Sequence, residues 1–547
     1  IQKDNNIMSA HVFSEIPKIN IPRSVFKRPS NLKTTIGTDY LYPIYADEIL
    51  PGDTIKFRAR LFGRLATPIV PIMDNIYLDT FFFAVPMRLI DNNWQKFMGE
   101  RPFGDNSTEY VTPVLNTGTG VTVGSLSDYI GIPIGVPNLD FVPYWHRAYN
   151  LVFNEWFRDE NLVEPAKIAG LAYDGTQSTE SLDDYVLRKR GKRHDYFTSA
   201  LPFAQKGDPV NLPLSIAGAP VVGNGLTLGL TSKNSSGTVV NFGLMSNSDS
   251  PAVALKLASN YGGTAGNAGS TSNNNAARLL GVTTEAEKSG LVVGDLSSNI
   301  TINALREAIQ IQSLLEVDAR GGTRYIELLK AHFHVDSPDA RLQRPEFLGG
   351  STTMLNVSTV PQTSSTDETS PQGNLSAFVT ASDECYWARS FTEHCVLIGL
   401  ANIRADLSYQ QGLPRMFSRR TRFDYYWPEL ANLGEQAILN KEIFAQGSND
   451  DNGVFGYQER WSEYRYHPSQ ITGLFRSTAP QSLDFWHLAQ KFENLPTLSA
   501  DFIEEAVPID RVIAVTDEPP FILDGYFDTE WARPMPLYSV PHIGSRL

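Results

Sequence analysis

Cysteine is nearly absent from this sequence, with only Cys385 and Cys395 among 547 residues. Two cysteines are too few for the disulfide framework that stabilises small secreted domains, and they do not form a CxxC pair. The sequence therefore favours a reducing compartment. A core must come from apolar side chains, which are sufficient because hydrophobic residues make up 41% of the chain.

Long apolar runs and catalytic motifs are also missing. The chain has no uninterrupted apolar run of about eighteen residues and no charged-then-apolar leader, so we expect neither membrane insertion nor a secretory signal. The motifs GxSxG, GxxxxGK[ST] and HExxH do not occur. We therefore predict that the protein is not an enzyme and uses no cofactor.

Two weak signals for a site remain. His332 and His334 occupy alternate positions in HFH, and alternate residues of a strand could both bind a metal. No third ligand has suitable spacing, so a structural role is the better interpretation. The 60 Asp and Glu residues could supply an acidic pair for glycoside hydrolysis, but so many carboxylates make chance pairs easy to find.

Positive charge is in deficit, since the formal net charge is −14. This argues against a protein that coats nucleic acid with its whole surface, although one face could still be basic. The segment RKRGKR stands out against this background, and its cations are Arg188, Lys189, Arg190, Lys192 and Arg193. Arginine suits phosphate and carboxylate alike, so the segment is either a DNA contact or a partner for carboxylates of this chain or a neighbouring one.

Charge almost disappears after this segment. Only three charged residues lie between Ile216 and Asn275, where Gly, Ser, Asn, Thr and Ala dominate. Such a composition is poor at forming its own core and is typical of an exposed region. Residues 207–301 are therefore predicted to be an exposed insertion.

The N-terminal region is basic and punctuated by proline. Pro17, Pro22 and Pro29 exclude a helix and favour extended backbone before each of them. The pattern predicts an extended arm over residues 1–40 that lies along another surface. Its cations are Lys18, Arg23, Lys27, Arg28 and Lys33.

The remaining patterns favour strands separated by long connections. PGDTIKFRARLF alternates between apolar Ile55, Phe57, Ala59 and Leu61 and a positively charged second face. NIYLDTFFFAV, HCVLIGLANIR and DRVIAVT are interpreted as further strands. Helical spacing occurs in YWHRAYNLVFNEW and, on either side of Gly321-Gly322, in NALREAIQIQSLL and RYIELLK. This combination predicts a mainly β protein, a sandwich or jelly roll whose loops outweigh its core.

Several segments together resemble the major capsid proteins of the Microviridae, the small circular-ssDNA phages, and especially the gokushovirus branch. In chain order they are FKRPSNLKTT, KRHDYFTSALPFAQKG, ARGGTRYIELLKAHFHV, RPEFLGGSTTMLNVSTVPQTSS, LANLGEQ, FGYQERWSEYRY, LDFWHLAQKF and ARPMPLYSVPHIG. The resemblance is weakest in residues 207–301.

The resemblance implies an eight-stranded antiparallel jelly-roll β-barrel with long insertions and a few short helices. It also implies a homo-oligomeric T=1 icosahedral shell around a circular ssDNA genome, assembled in the bacterial host cytoplasm. Implied partners are a DNA pilot protein, an internal scaffolding protein, a small basic DNA-binding protein and the bacterial host surface. The insertion is expected between the fifth and sixth strands, as a protrusion at the threefold axes that contacts the host.

These expectations assign each region a place in the shell. The protrusion is represented by Asn224, Ser235, Asn260, Asn267 and Asn274, and the arm cations are expected to face DNA. For RKRGKR, a position just before an outward insertion favours carboxylate pairing over DNA. Residues 41–206 are expected to form the first part of the jelly roll with an inserted helix. Residues 302–520 are expected to form its remainder with long loops, and residues 521–547 an extended C-terminal segment.

Two other classes of function remain open at this stage. One is a β-rich adhesin or lectin-like binding module with the uncharged insertion as its tip, and the other is a β-sandwich glycosidase. Neither accounts for the basic proline-rich arm or for the ordered series of capsid-like segments.

Overall fold

The computed structural model describes residues 22–65, 68–100, 112–169, 180–208, 210, 302–366 and 371–538, together with the backbone of five short strands between residues 221 and 293. The chain divides into two compact units. The first comprises Ile1–Gly207 and Leu315–Leu547, and the second comprises Asp208–Leu314.

The chain is mainly β. In chain order its strands are β1 (Ser24–Lys27), β2 (Ser30–Ile36), β3 (Tyr42–Ile49), β4 (Thr54–Leu65), β5 (Ile76–Pro86), β6 (Leu115–Asn116), β7 (Asp140–Phe141), β8 (Val221–Gly223), β9 (Gly229–Lys233), β10 (Val239–Gly243), β11 (Leu280–Val282), β12 (Leu291–Val293), β13 (Glu346–Met354), β14 (Asn356–Pro361), β15 (Leu375–Ser390), β16 (Cys395–Ala405), β17 (Glu435–Leu439), β18 (Val454–Glu459) and β19 (Phe521–Arg533).

The helices are few and mostly short. They are α1 (Met87–Ile90), α2 (Trp94–Phe97), α3 (Leu126–Ile130), α4 (Tyr144–Val152), α5 (Ile302–Gly321), α6 (Tyr325–Phe333), α7 (Asp339–Leu342), α8 (Asn440–Ile443) and α9 (Ala500–Ile503). A π-helical turn, Phe153–Phe157, continues α4.

Two antiparallel sheets form the body of the first unit. The first sheet has the order β1-β19-β4-β15-β14, with β2 also paired to β19, and the second has the order β13-β5-β16-β3. Strands β2 to β5 alternate between the two sheets along the chain, as the strands of a jelly roll do. The predicted mainly β jelly roll is confirmed, whereas the count of eight strands stays a prediction.

Phe57 of β4 lies at the centre of the core between the sheets. Its ring stacks on Trp387 of β15 with centroids 4.9 Å apart, and it meets Phe82 of β5 across the sandwich at 4.8 Å. The predicted alternation of β4 is confirmed, because Ile55, Phe57, Ala59 and Leu61 are buried while Lys56, Arg58 and Arg60 are exposed.

The second sheet is buried on both faces. One face contributes to the core between the sheets, and α4 packs on the other through Ala148, Tyr149 and Val152. A strand covered on both sides has no reason to alternate, which explains the continuous apolar runs in β5 and β16. The predicted helix is also confirmed, although Arg147 is buried within it and pairs with Glu180 at 2.6 Å.

The two helices predicted around Gly321-Gly322 are α5 and α6. Gly322 has a φ of +98°, and a Cβ there would collide with the Glu327 carboxylate, so glycine is required where the chain turns between them. HFH lies at the end of α6 rather than in a strand.

Two expectations from the C-terminal third need revision. DRVIAVT is not a strand, because its start belongs to a 3₁₀ turn, Ile509–Arg511, and Ile513 makes only an isolated bridge to Pro68. The segment expected to be merely extended after residue 520 begins with β19, which pairs with β1, β2 and β4 inside the first sheet.

Candidate nucleic-acid interface

The solvent-facing side of the first sheet, called here the basic face, carries a row of cations. Alternate residues of β4 place Lys56, Arg58, Arg60 and Arg64 on this side, with Phe62 among them, because successive side chains of a strand point to opposite faces. All five side chains are exposed.

The neighbouring strands add carboxylates and rings to the basic face. Register sets Glu384 and Tyr386 of β15 on one side of the row, and Asp524, Tyr526, Asp528 and Glu530 of β19 on the other. Arg58 and Arg60 both lie 3.4 Å from Glu384, and Lys56 lies 3.7 Å from Glu530. These exposed pairs contribute little to stability, so the cations stay available to other anions.

Arg64 differs from the other cations of the row. In the part of the chain that the structure describes it makes no ion pair, and its guanidinium lies 5.5 Å from the centroid of the Phe62 ring. Tyr386 is 59% exposed, Tyr526 is exposed on the opposite side of the row, and Phe378 is exposed further along β15. Guanidinium groups next to accessible rings can bind phosphates and stack on unpaired bases.

Two cations of the predicted arm join the basic face. Lys27 of β1 lies 3.8 Å from Glu530, and Lys33 of β2 is opposite Asp524 in the register. With these two, the face holds six cations against four carboxylates. The cations are Lys27, Lys33, Lys56, Arg58, Arg60 and Arg64, and the carboxylates are Glu384, Asp524, Asp528 and Glu530.

The other arm cations have different surroundings. Arg23 donates to the carbonyl oxygens of Gly52 and Ala532 at 2.5 and 3.3 Å. Arg28 pairs with Asp47 of β3 at 3.0 Å and lies 4.8 Å from the ring centroid of Trp531. These contacts join the β1 edge of the first sheet to the turn at Gly52, to β19 and to β3. Lys18 lies outside the described residues.

RKRGKR lies far from the basic face, against the α4-covered side of the second sheet. Arg190 pairs with the carboxylate of Asp79 in β5, accompanied by Arg404 of β16 at 2.8 Å from the same group. Asp79 is completely buried. Burial and the neighbouring Arg190 lower the pKa of Arg404 to about 10, although Asp79 opposes this shift.

The other members of RKRGKR also contact their own chain. Lys192 donates to the carbonyl oxygen of Phe502 at 2.6 Å, and burial lowers its pKa to about 8. Arg193 pairs with Asp406 at 3.1 Å. Arg188 lies near the Phe153 ring, and burial lowers its pKa, while Lys189 faces the Tyr40 ring at 6.0 Å.

The structure does not test the expected protrusion. Asn224, Ser235, Asn260, Asn267 and Asn274 all lie outside the described residues. The backbone of the second unit forms a three-stranded sheet of order β10-β9-β11 and a two-stranded sheet of β12 and β8.

The weak metal signal gains no support from the geometry. His332 lies 2.7 Å from Asp318, and His334 caps α6 one residue beyond its end. Across the described ranges no three His, Cys, Asp or Glu side chains come close enough to share an ion. In those same ranges, no helix has the length and apolar character needed to cross a membrane.

Sequence reasoning missed part of the basic face. The alternation that revealed Lys56, Arg58 and Arg60 continues to Phe62 and Arg64, so a longer reading of β4 was enough to find them. The contribution of Tyr386 and Tyr526 depends on strand pairing across more than 300 residues, which no local pattern encodes.

Comparison with known proteins now identifies the family. The capsid protein (F protein) family model matches residues 14–543. The chain is 45% identical to capsid protein VP1 of Bdellovibrio phage phiMH2K, 43% to that of Chlamydia phage 1 and 37% to that of Spiroplasma virus 4, each over 97% of both chains. The chain therefore belongs to the phage capsid protein (F protein) family and is a major structural protein of a virion, which assembles with copies of itself into a shell.

Proposed function

We propose that the chain forms a T=1 icosahedral shell around a circular ssDNA genome, with the basic face of the first sheet turned toward the DNA. The observation that supports this orientation is the concentration of cations and exposed rings on one sheet of a chain with a net charge of −14. An acidic exterior and a basic lining suit a particle that must enclose nucleic acid yet remain dispersed.

The chemistry of the basic face fits single-stranded DNA of any sequence. Each lysine or arginine that meets a phosphate releases counterions, which makes binding favourable and dependent on salt. Phe62, Tyr386 and Tyr526 offer ring surfaces, and stacking on a ring requires no particular base. A shell repeats these contacts in every subunit, so each contact can be weak.

Within the arm, the proposal concerns Lys27 and Lys33, whose side chains belong to the basic face. Arg23 and Arg28 hold the edge of the sandwich instead, through Gly52, Ala532 and Asp47. For RKRGKR, we propose that Arg190 holds the chain to the second sheet through Asp79, while Lys192 and Arg193 hold it to Phe502 and Asp406, before the insertion begins.

The remaining expectations are proposals from the family resemblance. The insertion over residues 207–301 would form the threefold protrusion and touch the bacterial host surface. Assembly would take place in the host cytoplasm with a DNA pilot protein, an internal scaffolding protein and a small basic DNA-binding protein.

Neutralising the basic face tests its orientation toward DNA. We expect the triple variant Arg58→Gln, Arg60→Gln, Arg64→Gln to form shells in normal yield when expressed with the companion phage genes. The purified particles should contain less nuclease-protected DNA, because phosphate contacts are lost from each subunit. DNA content is measured from the ratio of absorbance at 260 and 280 nm after nuclease treatment.

A matched control separates the effect of the basic face on DNA content from the effect of net charge. Lys330→Gln, Lys491→Gln, Arg465→Gln removes the same charge from exposed positions elsewhere and should leave DNA content unchanged. Equal DNA loss in both triples would assign the effect to net charge alone, and normal DNA content in the Arg58, Arg60, Arg64 variant would refute the orientation.

A further inference from the structure

An unusual concentration of exposed rings occupies the connection between β16 and β17. Every residue from Arg420 to Glu429 is exposed. The large apolar side chains of this surface, called here the aromatic ridge, are Met416, Phe417, Phe423, Tyr425, Tyr426 and Trp427, with exposures from 47% to 67%. Folded monomers rarely leave so many adjacent large apolar groups in water unless they form a contact.

The aromatic ridge is held in one conformation by local hydrogen bonds. The Asp424 carboxylate accepts from the backbone N–H groups of Arg420 and Thr421 at 2.9 and 2.7 Å. The indole N–H of Trp427 donates to the carbonyl oxygen of Arg422 at 2.9 Å. A surface fixed in advance loses little conformational entropy when it binds, which favours a role in recognition.

The base of the ridge is anchored by two partly buried arginines. Arg415 lies 2.9 Å from Glu442, and Arg419 lies 3.4 Å from Glu463. Arg419 also stacks against Tyr464, with its guanidinium 4.2 Å from the ring centroid. These contacts hold the segment from below, and Tyr426 also packs against Trp461 and Tyr464. The rings of the ridge remain exposed on the outer side.

The charges of the ridge indicate what it binds. Within the exposed stretch from Arg420 to Glu429, the cations Arg420 and Arg422 are balanced by Asp424 and Glu429. The ridge therefore carries no net charge and has little attraction for the phosphates of a nucleic acid. The chain assembles with copies of itself into a shell, so a second copy is a protein partner that this surface can meet. Exposed Leu413, Met416 and Leu433 add aliphatic surface, which favours a protein partner over nucleic acid.

We infer that the aromatic ridge is a subunit contact of the shell, which binds a second copy of this chain. Tyrosine, tryptophan and arginine are the side chains that contribute most to protein interfaces, and the ridge combines them with phenylalanine. The inference rests on the proposed shell, and it adds which surface of the chain makes a lateral contact.

Serine substitutions at the ridge test this contact. Phe417→Ser, Phe423→Ser removes two rings that have no ring partner in the described structure and leaves the hydrogen bonds of Asp424 and Trp427 in place. With the companion genes present, we expect at least a tenfold loss of shells by sedimentation and an unchanged melting temperature of the unassembled chain. Wild-type shell yield in this variant would overturn the inference.

The control variant replaces two exposed rings outside the aromatic ridge by serine. Phe333→Ser, Tyr538→Ser replaces two rings that are 72% and 77% exposed, and it should assemble normally. If the wild-type chain itself formed no shells, the proposed function would fail first, and the two failures are thereby distinguished.

Photo-crosslinking identifies the partner directly. With p-benzoylphenylalanine in place of Phe423, irradiated particles should give a protein band of twice the chain's mass. A crosslink to DNA, or none to a second copy of the chain in assembled shells, would overturn the inference.

Discussion

His146 of α4 is buried in a place where a protonated, positively charged imidazole is unfavourable. It is 1% exposed, and its Nε2 lies 2.9 Å from the hydroxyl of Ser127. Burial lowers the pKa of His146 to about 4, whereas the nearby Glu180 opposes the shift only weakly. The imidazole is therefore neutral in the folded protein at pH values well above 4.

This burial predicts a pH dependence of stability. The unfolded chain binds a proton at this histidine near pH 6.5, but the folded chain does so only near pH 4, so stability present above pH 6.5 is lost as the pH falls toward 4. We expect a loss of about 2 kcal/mol between pH 8 and pH 5 from this group. His146→Gln should remove that component, as measured by urea unfolding at both pH values. An identical loss in variant and wild type would contradict the assignment.

At the residue scale, the sequence predicted on which face of a strand a side chain lies, but not which side chain it contacts. The alternation of β4 identifies which side chains are buried, because period two is a local property of the backbone. The carboxylate that meets Arg190 is Asp79, 111 residues away, and no local pattern connects the two. Side-chain pairing of this kind follows from the topology.

At the scale of elements, strands were predicted correctly where both of their faces are buried. β5 and β16 are covered on both faces and appear as apolar runs. β19 was missed although Phe521, Leu523, Phe527 and Trp531 alternate with polar residues, because the glycine and acidic residues between them weaken the signal. DRVIAVT was wrongly taken as a strand because Val512 and Ile513, which follow a 3₁₀ turn, are buried in the core without forming a strand.

The RKRGKR segment is held to the second sheet by one carboxylate, that of Asp79. Asp79→Asn keeps the shape of the side chain but leaves Arg190 and Arg404 without their shared counter-charge in a buried place. Breaking a buried pair in this way costs about 3–5 kcal/mol. We therefore expect a clear fall in the free energy of unfolding of the unassembled chain, measured by urea titration.

A matched exposed pair shows what burial contributes. Glu530→Gln removes the partner of Lys27 and Lys56, whose side chains are 78% and 63% exposed. Exposed pairs contribute about 0–1 kcal/mol, so this variant should unfold almost as the wild type does. A similar loss in both variants would mean that Asp79 has no special role in fastening the segment.

At the scale of the whole molecule, the uncharged insertion leaves and rejoins the first unit at one place. The backbone N–H of Lys206 donates to the carbonyl oxygen of Leu315 at 3.3 Å, and the second unit, Asp208–Leu314, occupies the sequence between them. The two sheets, the basic face and the aromatic ridge all belong to the first unit. The first unit thus contains the groups proposed to bind DNA and neighbouring subunits.

This arrangement predicts that the insertion can be removed without loss of the shell. Because Lys206 and Leu315 are already joined by a hydrogen bond, a short Gly-Ser linker in place of residues 209–313 closes the gap with little strain. This deletion removes the insertion together with the first twelve residues of α5. We expect the shortened chain, expressed with the companion genes, to form shells that protect DNA but adsorb at least tenfold less to host cells. Normal adsorption would refute the proposed host contact, and failure to form shells would show that the insertion contributes to assembly itself.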